Sequence, residues 1–224
     1  MSVTAQSDGG IVIAEEPAAN AQPEWFTTVE VSHDTASLYP TSTINLSNWY
    51  SSSSPEFDDP NDKQTKADAY KLINSELDRY RLLTKFRIRS ATGSDLAAPI
   101  AIKSITITGS AADERQPLSK AIRVGVEIGD QFLIYAPKNT SDFTLNAYYA
   151  KTGDTVPTLV ERISASADAA DTFDHVTSIP ANATGVAVNV YMWYEGEDEE
   201  CKSSNLEATN ETLTATIVFT ALVS

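Results

Sequence analysis

The chain has 224 residues, a net charge of -15 and a pI of about 4.4, and 42% of it is hydrophobic. A phosphate backbone or an anionic bilayer repels such a surface, so nucleic acid and membrane are excluded as natural partners. The apolar content is ample for a core, and the length fits one large all-β domain.

The opening Met1-Ser2-Val3-Thr4-Ala5 has no signal-peptide pattern, which leaves open the reading of a mature chain trimmed of its leader. Residues 1–14 hold two short β-prone pieces, with Val3 and Ala5 in the first and Ile11, Val12 and Ile13 in the second. Gly9 and Gly10 between them read as a hinge. The segment is therefore expected to be an N-terminal arm or first strand, available for donation to a neighbouring copy, with residues 15–224 forming a single β-sandwich domain. Alternation with a period of two continues at Trp25, Thr27, Val29 and Val31. The loop Tyr50–Pro60 contains four consecutive serines. Next, Ala69, Leu72, Ile73 and Leu77 share a helical face behind Pro60 and Asp62, which predicts one short helix near residues 62–77. Strand patterns resume at Tyr80–Ile88, Ile100–Thr108, Ile122–Ile128, Phe132–Tyr135, Phe143–Tyr149, Val186–Met192 and Leu213–Ala221. Around nine strands separated by Gly, Pro, Asn and Asp turns imply a jelly-roll-like β-sandwich. Trp193, on the opposite pleat from Val190 and Met192, is expected to be buried under a loop or a second element.

Chemistry-bearing residues are sparse. His33 and His175 are the only histidines and Cys201 is the only cysteine, which rules out an internal disulfide. No nucleophile motif, P-loop or dinucleotide fingerprint is present, so no enzymatic role and no cofactor are expected. Glu195-Gly196-Glu197-Asp198-Glu199-Glu200 clusters carboxylates, and Glu195, Glu197, Asp198 and Glu199 are calcium candidates because hard cations take clustered oxygens. A solvated hairpin tip explains the same run without a metal. Asp58-Asp59-Pro60-Asn61-Asp62 is explained by helix entry. Arg79, Arg81, Lys85, Arg87 and Arg89 alternate along one segment of an acidic chain. They face carboxylates on neighbouring strands, or else form a seam with a second copy. Trp25, Trp49, Trp193, Tyr148, Tyr149, Tyr191 and Tyr194 offer a sugar-stacking platform, although packing is the commoner fate of strand aromatics. Four Asn-x-Ser/Thr sequons begin at Asn45, Asn139, Asn182 and Asn210.

Several segments carry a family likeness: Leu38–Thr43, Ala121–Val126, Met192–Cys201, and the opening Met1–Ala5 followed by Gly10–Ile13. Together they resemble surface proteins of Bacillota similar to the TasA and camelysin group. The resemblance implies a jelly-roll sandwich, made with a leader and placed outside the cell. It also implies assembly into matrix fibres in which the N-terminal strand of one subunit completes a sheet of the next. The acidic loop and the lone cysteine depart from TasA. The expected function is thus a structural subunit of an extracellular fibre, biofilm matrix or surface layer. Its partners would be other copies of itself and cell-surface or matrix components. The alternatives are a monomeric adhesin or carbohydrate-binding module and, by analogy of fold alone, a capsid-like protein.

Overall fold

Apolar residues at every second position give each strand one face that must leave water, and the chain satisfies this by stacking two sheets. The computed structural model describes residues 1–33, 38–43, 45–51, 71–73, 75–109, 121–137, 145–151, 158–159, 171–195 and 213–223. Within them the strands are β1 (Ser2–Asp8), β2 (Ile11–Glu15), β3 (Thr28–Ser32), β4 (Trp49–Ser51), β5 (Lys71–Ile73), β6 (Leu82–Ser90) and β7 (Ile100–Gly109). They continue with β8 (Ile122–Ile128), β9 (Gln131–Pro137), β10 (Leu145–Lys151), β11 (Thr158–Leu159), β12 (Thr172–Phe173), β13 (Val186–Tyr194) and β14 (Leu213–Ala221). One sheet has the order β12-β7-β14-β1-β3 and the other β11-β10-β9-β8-β13-β6-β2, while β4 and β5 form a separate ribbon. The connections β1–β2–β3, β6–β7–β8 and β12–β13–β14 each cross from one sheet to the other and back, the jelly-roll-like habit expected of this pattern.

The core between the sheets follows the alternation closely. On β14, Leu213, Ala215, Ile217, Phe219 and Ala221 are buried, while Thr214, Thr216, Val218 and Thr220 face outward and are half-buried. Leu82, Phe86 and Ile88 of β6 and Val188, Val190, Met192 and Tyr194 of β13 meet them from the other sheet. A second, smaller core lies on the outer face of the seven-stranded sheet. Here Trp49 and Leu46 cover Trp193, Tyr191, Phe132 and Ile134. Trp193 is fully buried, with Trp49 edge-on at 5.1 Å between ring centroids. Gly125 makes this closure feasible, since a Cβ there would lie 2.7 Å from a Leu46 methyl and 3.3 Å from the Trp193 ring.

The helix expected near 62–77 is corrected where the chain is described; residues 62–70 and 74 lie outside the described residues. Lys71–Ile73 is a strand, with Trp49 opposite Ile73 and Tyr50 opposite Leu72. Leu77–Arg79 is a single 3₁₀ turn. The helical reading put Leu72 and Ile73 on one buried face, but extended backbone sends neighbours to opposite sides. Ile73 packs on the second core and Leu72 is 46% exposed.

Candidate assembly interface

The first thirty-three residues form a clasp around one side of the sandwich. β1 lies inside the five-stranded sheet, parallel to β14 (Ala5 opposite Ile217) and antiparallel to β3 (Ala5 opposite Val29). β2 adds to β6 in the other sheet, with Ile13 opposite Ile88. Val3, Ala5, Ile11, Ile13 and Ala14 are buried as a result, and Val12 is half-buried. Phe26 then closes the outer edge of β2 by exchanging two backbone hydrogen bonds with Ile13, each 2.8 Å. One residue on, the Ser7 N–H donates to the Thr27 carbonyl at 2.9 Å, which returns the chain to β1.

Gly9 and Gly10 form the corner between the two sheets. Both are left-handed, with φ of 67° and 81°, and a Cβ on Gly9 would lie 2.7 Å from Thr220 Oγ1 and 3.0 Å from the Ala221 carbonyl oxygen. The Asp8 carboxylate holds the corner, accepting the Lys103 ammonium at 2.6 Å and the Gly9 N–H at 2.8 Å. These contacts, the lysine hydrogen bond first, lower the Asp8 pKa. The exposed stretch is the connector that follows, from Pro17 to Glu24, in which Ala18 to Gln22 are exposed. At its start the Arg87 guanidinium grips both Glu16 oxygens, at 2.6 and 2.7 Å.

The cations do not form one stripe. Arg79 lies in the 3₁₀ turn, paired with Glu76 at 2.8 Å and donating to the Tyr39 hydroxyl. Arg81 precedes β6 and stacks on Trp49 and Tyr191, at 5.1 and 4.8 Å from the ring centroids. Burial lowers its pKa. Burial also raises that of Tyr191, whose hydroxyl donates to Glu127 at 2.8 Å. Lys85, Arg87 and Arg89 share the outer face of β6, and Arg89 lies 4.5 Å over the Trp25 ring. The partners are thus aromatic rings and loop carboxylates, where facing strands were expected to supply the acids.

Of the calcium candidates, Glu195 is described, and Glu197, Asp198 and Glu199 lie outside the described residues, as do Asp58–Asp62. Glu195 bridges to Thr41, and its carboxylate accepts hydrogen bonds from the Ser42 hydroxyl and from Trp193 Nε1 at 3.3 Å. Among the described residues, no group of three or more His, Cys, Asp or Glu side chains is placed to hold a metal ion. Trp49, Tyr191, Trp193 and Tyr194 are buried in packing, and the side chains of Tyr148 and Tyr149 lie outside the described set. Asn45 and Asn182 each accept backbone N–H groups of the turn that follows them. The role of Phe26 has no sequence signal beyond alternation, which made it one of many strand residues. Among the described residues no helix is long and apolar enough to cross a membrane. No family model, curated protein or solved structure matches the chain.

Proposed function

We propose that this chain is a structural subunit of an extracellular fibre, matrix or surface layer, joined to its neighbours by exchange of residues 1–15. One observation carries the reading. β1 lies inside one sheet and β2 ends the other, and along the chain both lead to the rest through the exposed segment before Trp25. A neighbouring copy can supply the same residues to the same slot, because exchange of an identical element recreates every native contact. The slot offers the edges of β14 and β6, each nine residues long. Backbone pairing along such edges is indifferent to net charge, so it can join subunits that each carry -15. The resemblance of the opening segment to TasA-type proteins points the same way.

A monomeric surface adhesin is the second reading, favoured by the arm filling its own slot in a single chain. A disulfide across Gln6 and Thr28 separates the two. These residues are directly opposite in a non-hydrogen-bonded pair, as the flanking bonds Ser7 N–H to Thr27 and His33 N–H to Met1 establish. Such pairs have Cα atoms about 4.5 Å apart, within disulfide range. The double variant Gln6→Cys/Thr28→Cys, in a Cys201→Ser background, is concentrated under reducing conditions, imaged by negative stain and then oxidised. Filaments with a covalent ladder on a non-reducing gel are expected. Filaments with only internal cross-links would eliminate exchange, and persistent monomers would favour the adhesin.

A further inference from the structure

We infer that the free edge of β3 is a strand-addition site for an extended segment of a different protein, one bearing Lys or Arg at the position facing Glu30, and that Glu30 prevents the edge from pairing with itself. β3 ends the five-stranded sheet, and among the described residues no strand pairs with its outer side. The bonds from Ser7 N–H to Thr27 and from His33 N–H to Met1 fix which backbone groups face β1. Val29 and Val31 turn theirs inward, so the N–H and C=O groups of Thr28, Glu30 and Ser32 point to the free edge. The side chains alternate to match. Thr28, Glu30 and Ser32 are exposed, while Val29 and Val31 are half-buried against the core. An added strand would meet three unpaired donors, three acceptors and an apolar margin that it completes.

Charge decides what fits. Two copies pairing antiparallel over the full strand would set Glu30 opposite Glu30, on subunits that each carry -15. Like charges directly opposite destabilise a pair, and a lone edge charge is a known guard against self-association. Slipping by two residues separates the carboxylates but leaves only three residues paired on each side. Among the described residues, no cation is paired with Glu30. Its β1 partner is Thr4, flanked by Ser2 and Gln6, and the next strand presents Thr214, Thr216 and Val218. A foreign strand with a central cation gains the ion pair that a second copy cannot offer. The site is independent of arm exchange, because Thr28, Glu30 and Ser32 direct their backbone groups away from β1.

A charge swap tests the inference. Wild type and the Glu30→Lys variant are studied separately and in equal mixture, by sedimentation and by amide hydrogen exchange. Each protein alone is expected to leave the amides of Thr28, Glu30 and Ser32 unprotected. The mixture is expected to form a one-to-one complex, weakened by salt, with those three amides newly protected. Arm exchange leaves these amides unchanged, so the two modes of association are told apart even where filaments form. No protection in the mixture would overturn the inference, and so would protection in either protein alone.

Discussion

The corner at Gly9 and Gly10 can be separated from a hinge by replacing each glycine with alanine. Both residues adopt left-handed backbone, which costs a residue with a Cβ about 1–2 kcal/mol. For Gly10 that is the whole penalty, because nothing lies within 4 Å of the position a Cβ would take. For Gly9 the methyl would also press on Thr220 Oγ1 at 2.7 Å and on the Ala221 carbonyl oxygen and nitrogen at 3.0 and 3.1 Å. The last two are backbone atoms of a paired strand and have little room to yield. Overpacking of this kind adds about 1–3 kcal/mol. Gly9→Ala should therefore destabilise the protein by about 2–5 kcal/mol and Gly10→Ala by about 1–2 kcal/mol, with each kcal/mol lowering Tm by roughly 2–4 °C in a chain of this size. Urea unfolding with an unchanged slope measures both. Equal and small effects would show that the glycines flex freely and that the corner does not bear on β14.

Two further perturbations probe the packing around the clasp. Trp193→Ala should cost about 3–5 kcal/mol, since the ring is fully buried between Trp49 and Gly125; an unchanged unfolding midpoint would show that the second core contributes nothing. His33 follows β3 and its Nε2 lies 2.7 Å from Thr84 Oγ1 on β6; burial lowers its pKa, the Met1 amine adds to this and Glu15 opposes it. The unfolded chain therefore binds protons that the folded chain refuses as pH falls below 6.5, so stability should drop there, and His33→Gln should flatten that part of the profile; parallel profiles for the two proteins would refute it.

The sandwich was legible because its strands bury one face and leave the other half-wet, which writes a period of two into β6, β14 and the first half of β13. β8 shows where that signal fades. Ile122, Arg123, Val124, Gly125 and Val126 are all buried, because the second core covers the side that elsewhere meets water. That cover depends on Leu46 and Trp49, more than seventy residues away in the chain, and no local pattern announces it. The same non-locality explains the arginines. Spacing placed Arg79 to Arg89 on one face, but whether each meets a carboxylate or a ring depends on which loop folds over it. Leu72 and Ile73 illustrate the reverse error. A short apolar pair fits either period, and the cross-strand contact between Trp49 and Ile73 settled it as a strand. The parallel pairing of β1 with β14 joins the two ends of the sequence, a contact that periodicity does not encode.

The clasp also constrains how exchange would proceed. A chain that has closed on itself must withdraw β1 from between β14 and β3, and β2 from between β6 and the Phe26 bridge, before its slot can accept another arm. Val3, Ala5, Ile11 and Ile13 leave the core together in that step, so the barrier is a cooperative loss of apolar burial rather than the swing of a loose end. A chain that meets a neighbour before its own arm has docked faces no such barrier. Arm exchange would therefore be governed by when subunits meet relative to folding, whereas pairing at the β3 edge would require no opening of the core. The two edges differ accordingly: β2 is covered by backbone bonds from Phe26, which would have to break for exchange, whereas among the described residues no strand covers β3, where the proposed guard is the charge of Glu30.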